Sequence, residues 1–343
     1  MPISAERIHD KADQHSRDYA SRASPVGATV HSVTVRLTVR TAPWRSHIAR
    51  VVNQVDGLVP VVKGNGYGFG RTWLAGLAAE FSDTIAVGTI HELHGLPSGV
   101  HAVVLTPTLD PPPDMDGSPP AVLTVGNSEH IAALTPDATP RRVLVKLTSS
   151  MQRYGRSSDL VGEARRAGLD VVGVSIHPPL AGTADDHRHD VTGHLAEIDP
   201  ALPVWVSHLD PDTYGSLPTS HTYRLRLGTS LWHGDRSLLQ LSADVLDVRP
   251  IAAGERAGYR LGAVPADGHL AMIGAGTAHG VTALPDGRSP YHFERARLAL
   301  HEPPHMHTSM VYVEAGRPVP AVGDRVDVQR PLTMTAVDEF EWL

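Results

Sequence analysis

Three features of the sequence predict an α/β protein: a (β/α)8 TIM-like barrel followed by a C-terminal mostly-β domain. Short apolar runs alternate with helical stretches about eight times between residues 59 and 227. Buried strands alternating with helices imply a parallel sheet, and about eight such units close a barrel. After about residue 240 the pattern changes to short strand-like runs separated by Gly, Pro and Asp, which reads as all-β. With 343 residues, 41% hydrophobic and 20% charged, the chain can bury one large core or two ordinary ones.

Residues 1–30 read as a polar arm with little apolar surface. Val33–Val39 alternates apolar and polar residues and reads as a half-buried strand, and a helix is expected over Trp44–Val55. The barrel strands are expected at Val59–Val62, Thr84–Gly88, Ala102–Thr106, Ala121–Val125, Val143–Leu147, Val171–Ile176, Val204–Ser207 and Tyr223–Leu227. Helices are expected at Thr72–Phe81, Ile90–Leu96, Asn127–Leu134 and Ser158–Gly168, with a further helix before Val204. Pro107–Pro120 is proline-rich and reads as loop. The later strand-like runs are Val245–Val248, Glu255–Tyr259, His269–Ile273, Arg295–His301, Met310–Glu314 and Arg325–Val328.

Composition narrows the function. A net charge of −7 offers no general electrostatic attraction to nucleic acid. The absence of cysteine excludes disulfides and thiolate metal sites. No apolar run approaches membrane-spanning length, and the N-terminus lacks the apolar centre of a signal peptide. A cytoplasmic protein with no membrane or nucleic-acid partner is expected.

Leu58–Gly70, LVPVVKGNGYGFG, is the most informative stretch. It reads as a buried strand with Lys63 at its carboxyl end, then a glycine-rich turn, then a helix. Apolar walls there would lower the lysine pKa and free its amine as nucleophile or base; the alternative is a solvated lysine at a strand end. The glycines are not a nucleotide fingerprint. GxGxxG fails at Phe69, and in the phosphate-loop pattern the lysine would follow the glycines, whereas Lys63 precedes them. Barrel sites lie at the carboxyl ends of strands. Lys146, Arg153, His177, Ser207 and Arg226 fall at or near such ends, and Gly228-Thr229-Ser230 forms a turn able to face a phosphate. Read singly, His177 and Lys146 also fit structural roles, and Ser207 fits a strand cap.

These segments together resemble the alanine racemase family. VVKGNGYGFG resembles its lysine motif VVKANAYGHG, and VKLTSSMQRYG its VKxDTGMxRxG. GVSIHPPLAGTADD is similar to GxxTHFxxAD, WVSHLD to the segment containing NS, and YRLRLGTSLWHGD to RPGxxLYG. The motifs occur in the family's order and cover roughly residues 33–328. The resemblance implies a pyridoxal 5'-phosphate enzyme of fold type III, an isomerase acting on an amino acid or related amine. It places the barrel at 40–238 and the β domain at 31–39 plus 239–343. It implies that Lys63 forms a Schiff base with the cofactor, and that Tyr67, Ser207, Gly228 and Thr229 contact its phosphate. Arg226 would face the pyridine nitrogen and leave it unprotonated. His177 would pack by the ring. Arg153 would sit near the cofactor and substrate carboxylate, with Lys146, which the family can carbamylate, beside it. A homodimer with shared active sites is also implied.

The resemblance breaks on the side opposite Lys63. Alanine racemases use a tyrosine in GYxDG as the second base; here Gly276–Gly280 reads GTAHG, so Thr277 takes the tyrosine place and His279 the aspartate place. A threonine hydroxyl is a far poorer base than a phenol, whose reference pKa is about 10. Tyr259, which matches another tyrosine of the family, and His279, an imidazole, are the two substitutes. HEPPHMHTSM at 301–310 lies over the family's cMDQxM motif. His301, His305 and His307 read as a surface cluster or, with His305 and His307 on one strand face, as metal ligands of a dehydratase or aldolase. Fifteen residues follow VGDRVDV at 322–328, so a shortened β domain is expected. A cofactor-binding relative with little turnover is the remaining alternative.

Overall fold

The structure, a computed structural model, describes residues 34–110, 121–135 and 140–343. The arm expected over 1–30 lies outside these residues, as do Val33 and positions 111–120 of the proline-rich stretch. The described chain falls into two units. One is Ser46–Gly234; the other joins residues 34–45 to Asp235–Leu343. Strand β1 (Val35–Val39) belongs to the second unit, and helix α1 (Thr41–Gln54) contains the first boundary.

The first unit is the expected barrel. Its strands are β2 (Leu58–Pro60), β3 (Thr84–Val87), β4 (His101–Val104), β5 (Ala121–Val125), β6 (Arg142–Lys146), β7 (Asp170–Ser175), β8 (Val204–Ser207) and β9 (Tyr223–Leu227). They pair in parallel in the order β2-β9-β8-β7-β6-β5-β4-β3. A bridge between Val61 and Ala86 closes the ring. Near-continuous apolar runs such as TIAV and RVLVK are what strands covered on both faces require. Helices α2 (Arg71–Ala78), α3 (Ser128–Leu134), α4 (Asp159–Arg166), α5 (Ala184–Thr192), α6 (Pro211–Gly215) and α7 (Thr229–Trp232) follow individual strands. Side-chain caps start several of them: Asn127 accepts from the His130 amide, and Thr183 and Asp186 form a capping box.

Two barrel expectations need correcting. The strand before Lys63 ends at Pro60, because the chain changes partners: Val61 donates to Leu227 on one side and Val62 to Ala86 on the other. The helix expected over Ile90–Leu96 is a single 3-10 turn, Ile90–Glu92, cut short before Gly95 and Pro97.

The second unit is built on β10 (Leu239–Ile251), with β11 (Arg256–Ala257) and β12 (Gly262–Ala263) forming a small separate hairpin. It continues through β13 (Gly268–Ile273), β14 (Tyr291–Phe293), β15 (Ala296–Arg297), β16 (Ala299–Leu300), β17 (Ser309–Glu314), β18 (Arg325–Val328) and β19 (Glu339–Trp342). The sheet runs β15-β14-β18-β10-β13-β17-β16, while β1 pairs antiparallel with β10 and parallel with β19. Val35, Leu241, Val245, Ile273, Val311 and Val326 share its core. Tyr291 is fully buried there, its hydroxyl 3.0 Å from the Ala275 carbonyl and 2.7 Å from Ser309 Oγ. The run expected over Arg295–His301 is broken into β15 and β16, each only two residues long. Among the described residues no helix is long and apolar enough to cross a membrane.

Candidate active site

Lys63 sits where the first barrel strand opens into the glycine loop. Gly66 has φ +65°, and a Cβ there would strike the backbone of Gly70 and Arg71, so the turn closes only over glycine. Glu92 fastens the loop: its carboxylate accepts from the Gly64 amide at 3.1 Å and the Gly88 amide at 2.6 Å. Tyr67 is buried at 6% exposure, and His233 Nε2 donates to its carbonyl at 2.8 Å. Burial, then the Glu92 charge, pushes the Tyr67 phenol up to about 12, so it stays a neutral donor. Its hydroxyl lies against Gly228, where a Cβ would overlap it.

Four cations surround this point. Lys63 remains open to solvent on one side, while crowding on the others, then Arg153, lowers its pKa; Glu92 partly opposes them. Lys146 ends β6 and is 5% exposed; burial, then Arg226 and Arg153, brings its pKa down to about 7. Arg226 near the end of β9 is buried and drawn down to about 10, first by burial and then by Arg153, so it keeps its charge at neutral pH. Its guanidinium donates to the carbonyls of Ile176 (3.0 Å), Trp205 (3.2 Å) and Val206 (3.3 Å). Among the described residues none of the four cations is ion-paired with a carboxylate. The hydroxyls of Tyr67, Ser207 and Thr229 likewise have no hydrogen-bond partner among the described residues.

Backbone strain gathers at the same end of the barrel. Among the described residues of this unit, the non-glycine residues with positive φ are Tyr67 (56°), Gln152 (55°), Tyr154 (59°) and His208 (63°). They are a site residue itself, the two neighbours of Arg153, and the neighbour of Ser207. Non-glycine residues held in this region cluster at functional sites. His177 is half-buried, and Ser149 Oγ donates to its carbonyl at 2.7 Å. Burial, then Arg226 and His208, keeps its imidazole far below the ordinary range and therefore neutral.

The β unit places the remaining candidates around the loop 301–308. The Thr277 amide donates to the His305 carbonyl and the Ala278 amide to the Met306 carbonyl, each at 2.8 Å. Thr277 is exposed in a 3-10 turn. His279 is buried with both nitrogens engaged. Nδ1 accepts from the Gly276 amide at 3.3 Å, so the network puts the proton on Nε2, which lies 3.4 Å from both Thr34 Oγ1 and Asp338 Oδ2. Tyr259 is 86% exposed, its ring centred 4.4 Å from the His305 ring. Glu302 is buried and accepts from the amides of Tyr259 (2.9 Å) and Arg260 (3.1 Å) and from His305 Nε2 (2.6 Å). Burial would raise its pKa, but these bonds outweigh it and hold the carboxyl below its usual range.

The shared strand face expected for His305 and His307 does not form. Pro303 and Pro304 keep the segment between β16 and β17 irregular. His301 Nε2 reaches the Ala257 carbonyl, His305 turns to Glu302, and the His307 ring meets that of His279. Among the described residues no three His, Asp or Glu side chains are grouped to hold a metal.

The family model described as the alanine racemase N-terminal domain matches residues 41–226. The chain belongs to the alanine racemase family. It is 27% identical over 299 residues to an alanine racemase of Nitratidesulfovibrio vulgaris, a match covering 77% of this chain and 78% of that protein. Its fold is shared with the alanine racemase of Bartonella henselae, solved with covalently bound pyridoxal phosphate: TM-score 0.68, 17% identity, 90% of this chain and 99% of that one. It is also shared with the alanine racemase of a D-cycloserine-producing Streptomyces lavendulae: TM-score 0.64, 19% identity, 91% and 97% coverage. In this alanine racemase family member, Lys63, Tyr67, Arg153, His177, Ser207, Arg226, Gly228 and Thr229 all belong to the barrel unit. Tyr259, Thr277 and His279 belong to the other. Sequence reasoning missed Glu92, His208, His233 and Glu302. Glu92 carried a readable signal, four residues beyond the end of the TIAVG strand; the others act through contacts that only the fold creates.

Proposed function

We propose that the chain is a pyridoxal 5'-phosphate enzyme that moves a proton at the α-carbon of an amino acid or related amine, with Lys63 as the amine that carries the cofactor. One observation carries this reading: Lys63, its pKa lowered, stands among Lys146, Arg153 and Arg226, none of them ion-paired within the described residues. Such a set suits a ligand with a phosphate and a carboxylate. The residues fit the cofactor. Tyr67, whose hydroxyl lies against Gly228, and Ser207 and Thr229 offer hydroxyls unpartnered among the described residues, and these four would hold the phosphate. Arg226 would face the ring nitrogen, His177 would lie against the ring, and Arg153 would receive the substrate carboxylate.

When bound, the cofactor supplies an electron-withdrawing ring that acidifies the α C–H bond. The chain's residues do the rest. Lys63 takes and returns the proton on its own face; its lowered pKa leaves more of the amine unprotonated near neutrality than in a solvated lysine. Arg226, fixed by three carbonyls, keeps its protons and so would leave the pyridine nitrogen of a bound cofactor without one.

The opposite face favours a departure from ordinary two-base racemisation. Thr277 has no activating base among the hydrogen bonds of its turn, and His279 has no nitrogen to spare. Of the three candidates, Tyr259, an exposed phenol, is the one left able to carry a proton, which a homodimer would deliver from a second copy. An amino-acid panel incubated in heavy water and read by mass and chiral analysis tests this. The expected result is α-proton exchange that outpaces inversion. Cofactor-loaded protein that exchanges no α-proton would refute the reading, and inversion as fast as exchange would refute the one-sided version of it.

A further inference from the structure

His208 touches none of the proposed chemistry directly, yet the fold holds it in an unfavourable conformation. It follows Ser207 at the end of β8 with φ +63°. Histidine tolerates this region better than most residues with a Cβ, but still at a cost. It stands at the bend between β8 and the cap of α6, where Asp210 accepts from the amides of Asp212 and Thr213. The conformation also places a ring. Nδ1 donates to the Pro178 carbonyl at 2.9 Å, which leaves the lone pair on Nε2. The ring centre lies 4.5 Å from that of His177, tilted by 59°. Burial outweighs the Pro178 and Pro179 carbonyls to lower its pKa, so both imidazoles are neutral at neutral pH.

Fixing His177 from a neighbouring strand end is useful only if His177 must keep one orientation. Its own hydrogen bond among the described residues acts through the backbone: Ser149 Oγ donates to the carbonyl, not to the ring. His208 contributes a contact on the ring itself. We propose that His208 is a positioning residue that locks the His177 ring for face-on packing against the cofactor, and that its strained backbone is retained for this purpose. The inference rests on the pyridoxal-phosphate reading of the site.

The test compares the full-length parent with His208→Gly and His208→Asn. Both residues accept positive φ, and neither provides the ring. Three quantities are read: thermal unfolding of the cofactor-free protein, the His177 imidazole resonances of the cofactor-free protein, and the dissociation constant for pyridoxal 5'-phosphate. Relief of strain offsets the lost hydrogen bond and the added freedom of the unfolded chain, so the unfolding temperature should change little. The His177 resonances should move, and cofactor affinity should fall about five- to tenfold, the scale of one lost ring contact. In a His177→Ala background the same substitutions should have little further effect on affinity. Unchanged His177 resonances, or unchanged affinity in both variants, would overturn the proposal. A loss of stability without a loss of affinity would overturn it too, by making His208 merely structural. If the parent itself takes up no cofactor, the functional reading falls and this assignment with it, a result seen before any substitution is made.

Discussion

The barrel mouth and the loop 301–308 of the β unit both gather titratable side chains, but their bonding states are opposite. At the mouth, four cations crowd together without ion pairs among the described residues, three hydroxyls lack partners, and strained residues flank the named ones. Around 301–308 the buried groups are satisfied. Glu302 has three donors, and His279 uses both nitrogens. Polar groups left unsatisfied and close together are costly, and a folded protein retains them where a ligand completes them. A closed network stabilises the fold without needing a ligand. The comparison therefore supports the proposal that the mouth binds the ligand while the buried groups of the loop mainly support the fold; the loop exposes Met306 and His307, and Tyr259 is exposed beside it.

The largest effect that could break this comparison is at Lys63. Lys63→Ala should reduce α-proton exchange by about a thousandfold or more while leaving the unfolding temperature near that of the parent. Exchange that survived in this variant would move the chemistry away from the mouth.

Glu302→Ala should act in the opposite sense. It leaves two amides and a histidine without their acceptor, so urea denaturation should show a loss of about 2–3 kcal/mol. Cofactor uptake by Lys63 should persist. A loss of uptake at unchanged stability would contradict the supporting role.

Lys146 gives a pH test of the unsatisfied mouth. Its folded-state pKa, about 7, lies below that of a lysine in the unfolded chain. Between these values the unfolded chain binds a proton that the folded protein does not, so stability contributed at this site rises with pH from about 7 to about 10. Below pH 7 the full cost of burying the charge is present. Lys146→Met should raise stability at pH 7 by about 1–3 kcal/mol and flatten that rise. Identical stability–pH curves for parent and variant would show that the lysine is not held there against its charge.

The smallest effect concerns His279. Its substitution by Gln should cost about 1 kcal/mol of stability, through the lost hydrogen bonds, with little change in exchange on the Lys63 face.

The sequence revealed these regions unequally, for physical reasons. The barrel was legible because strands covered on both faces must be apolar throughout, and the lysine loop because glycines cluster where the backbone turns sharply. Strand β19 was not legible. Its alternating EFEW is only four residues long, and its partner β1 lies some three hundred positions away. The histidines at 301–307 looked like a ligand set by spacing alone, yet Pro303 and Pro304 prevent the strand that would align them. His208 was invisible because its meaning lies in φ and in a ring contact across two strand ends.

The most direct test of the central claim is to load the protein with pyridoxal 5'-phosphate, reduce it with borohydride, and map the modified peptide by mass spectrometry. Reduction fixes the cofactor to the amine that carried it. The account predicts one adduct, on the peptide containing Lys63, and none on that containing Lys146. An adduct on Lys146 with Lys63 unmodified, or no adduct at all, would contradict it.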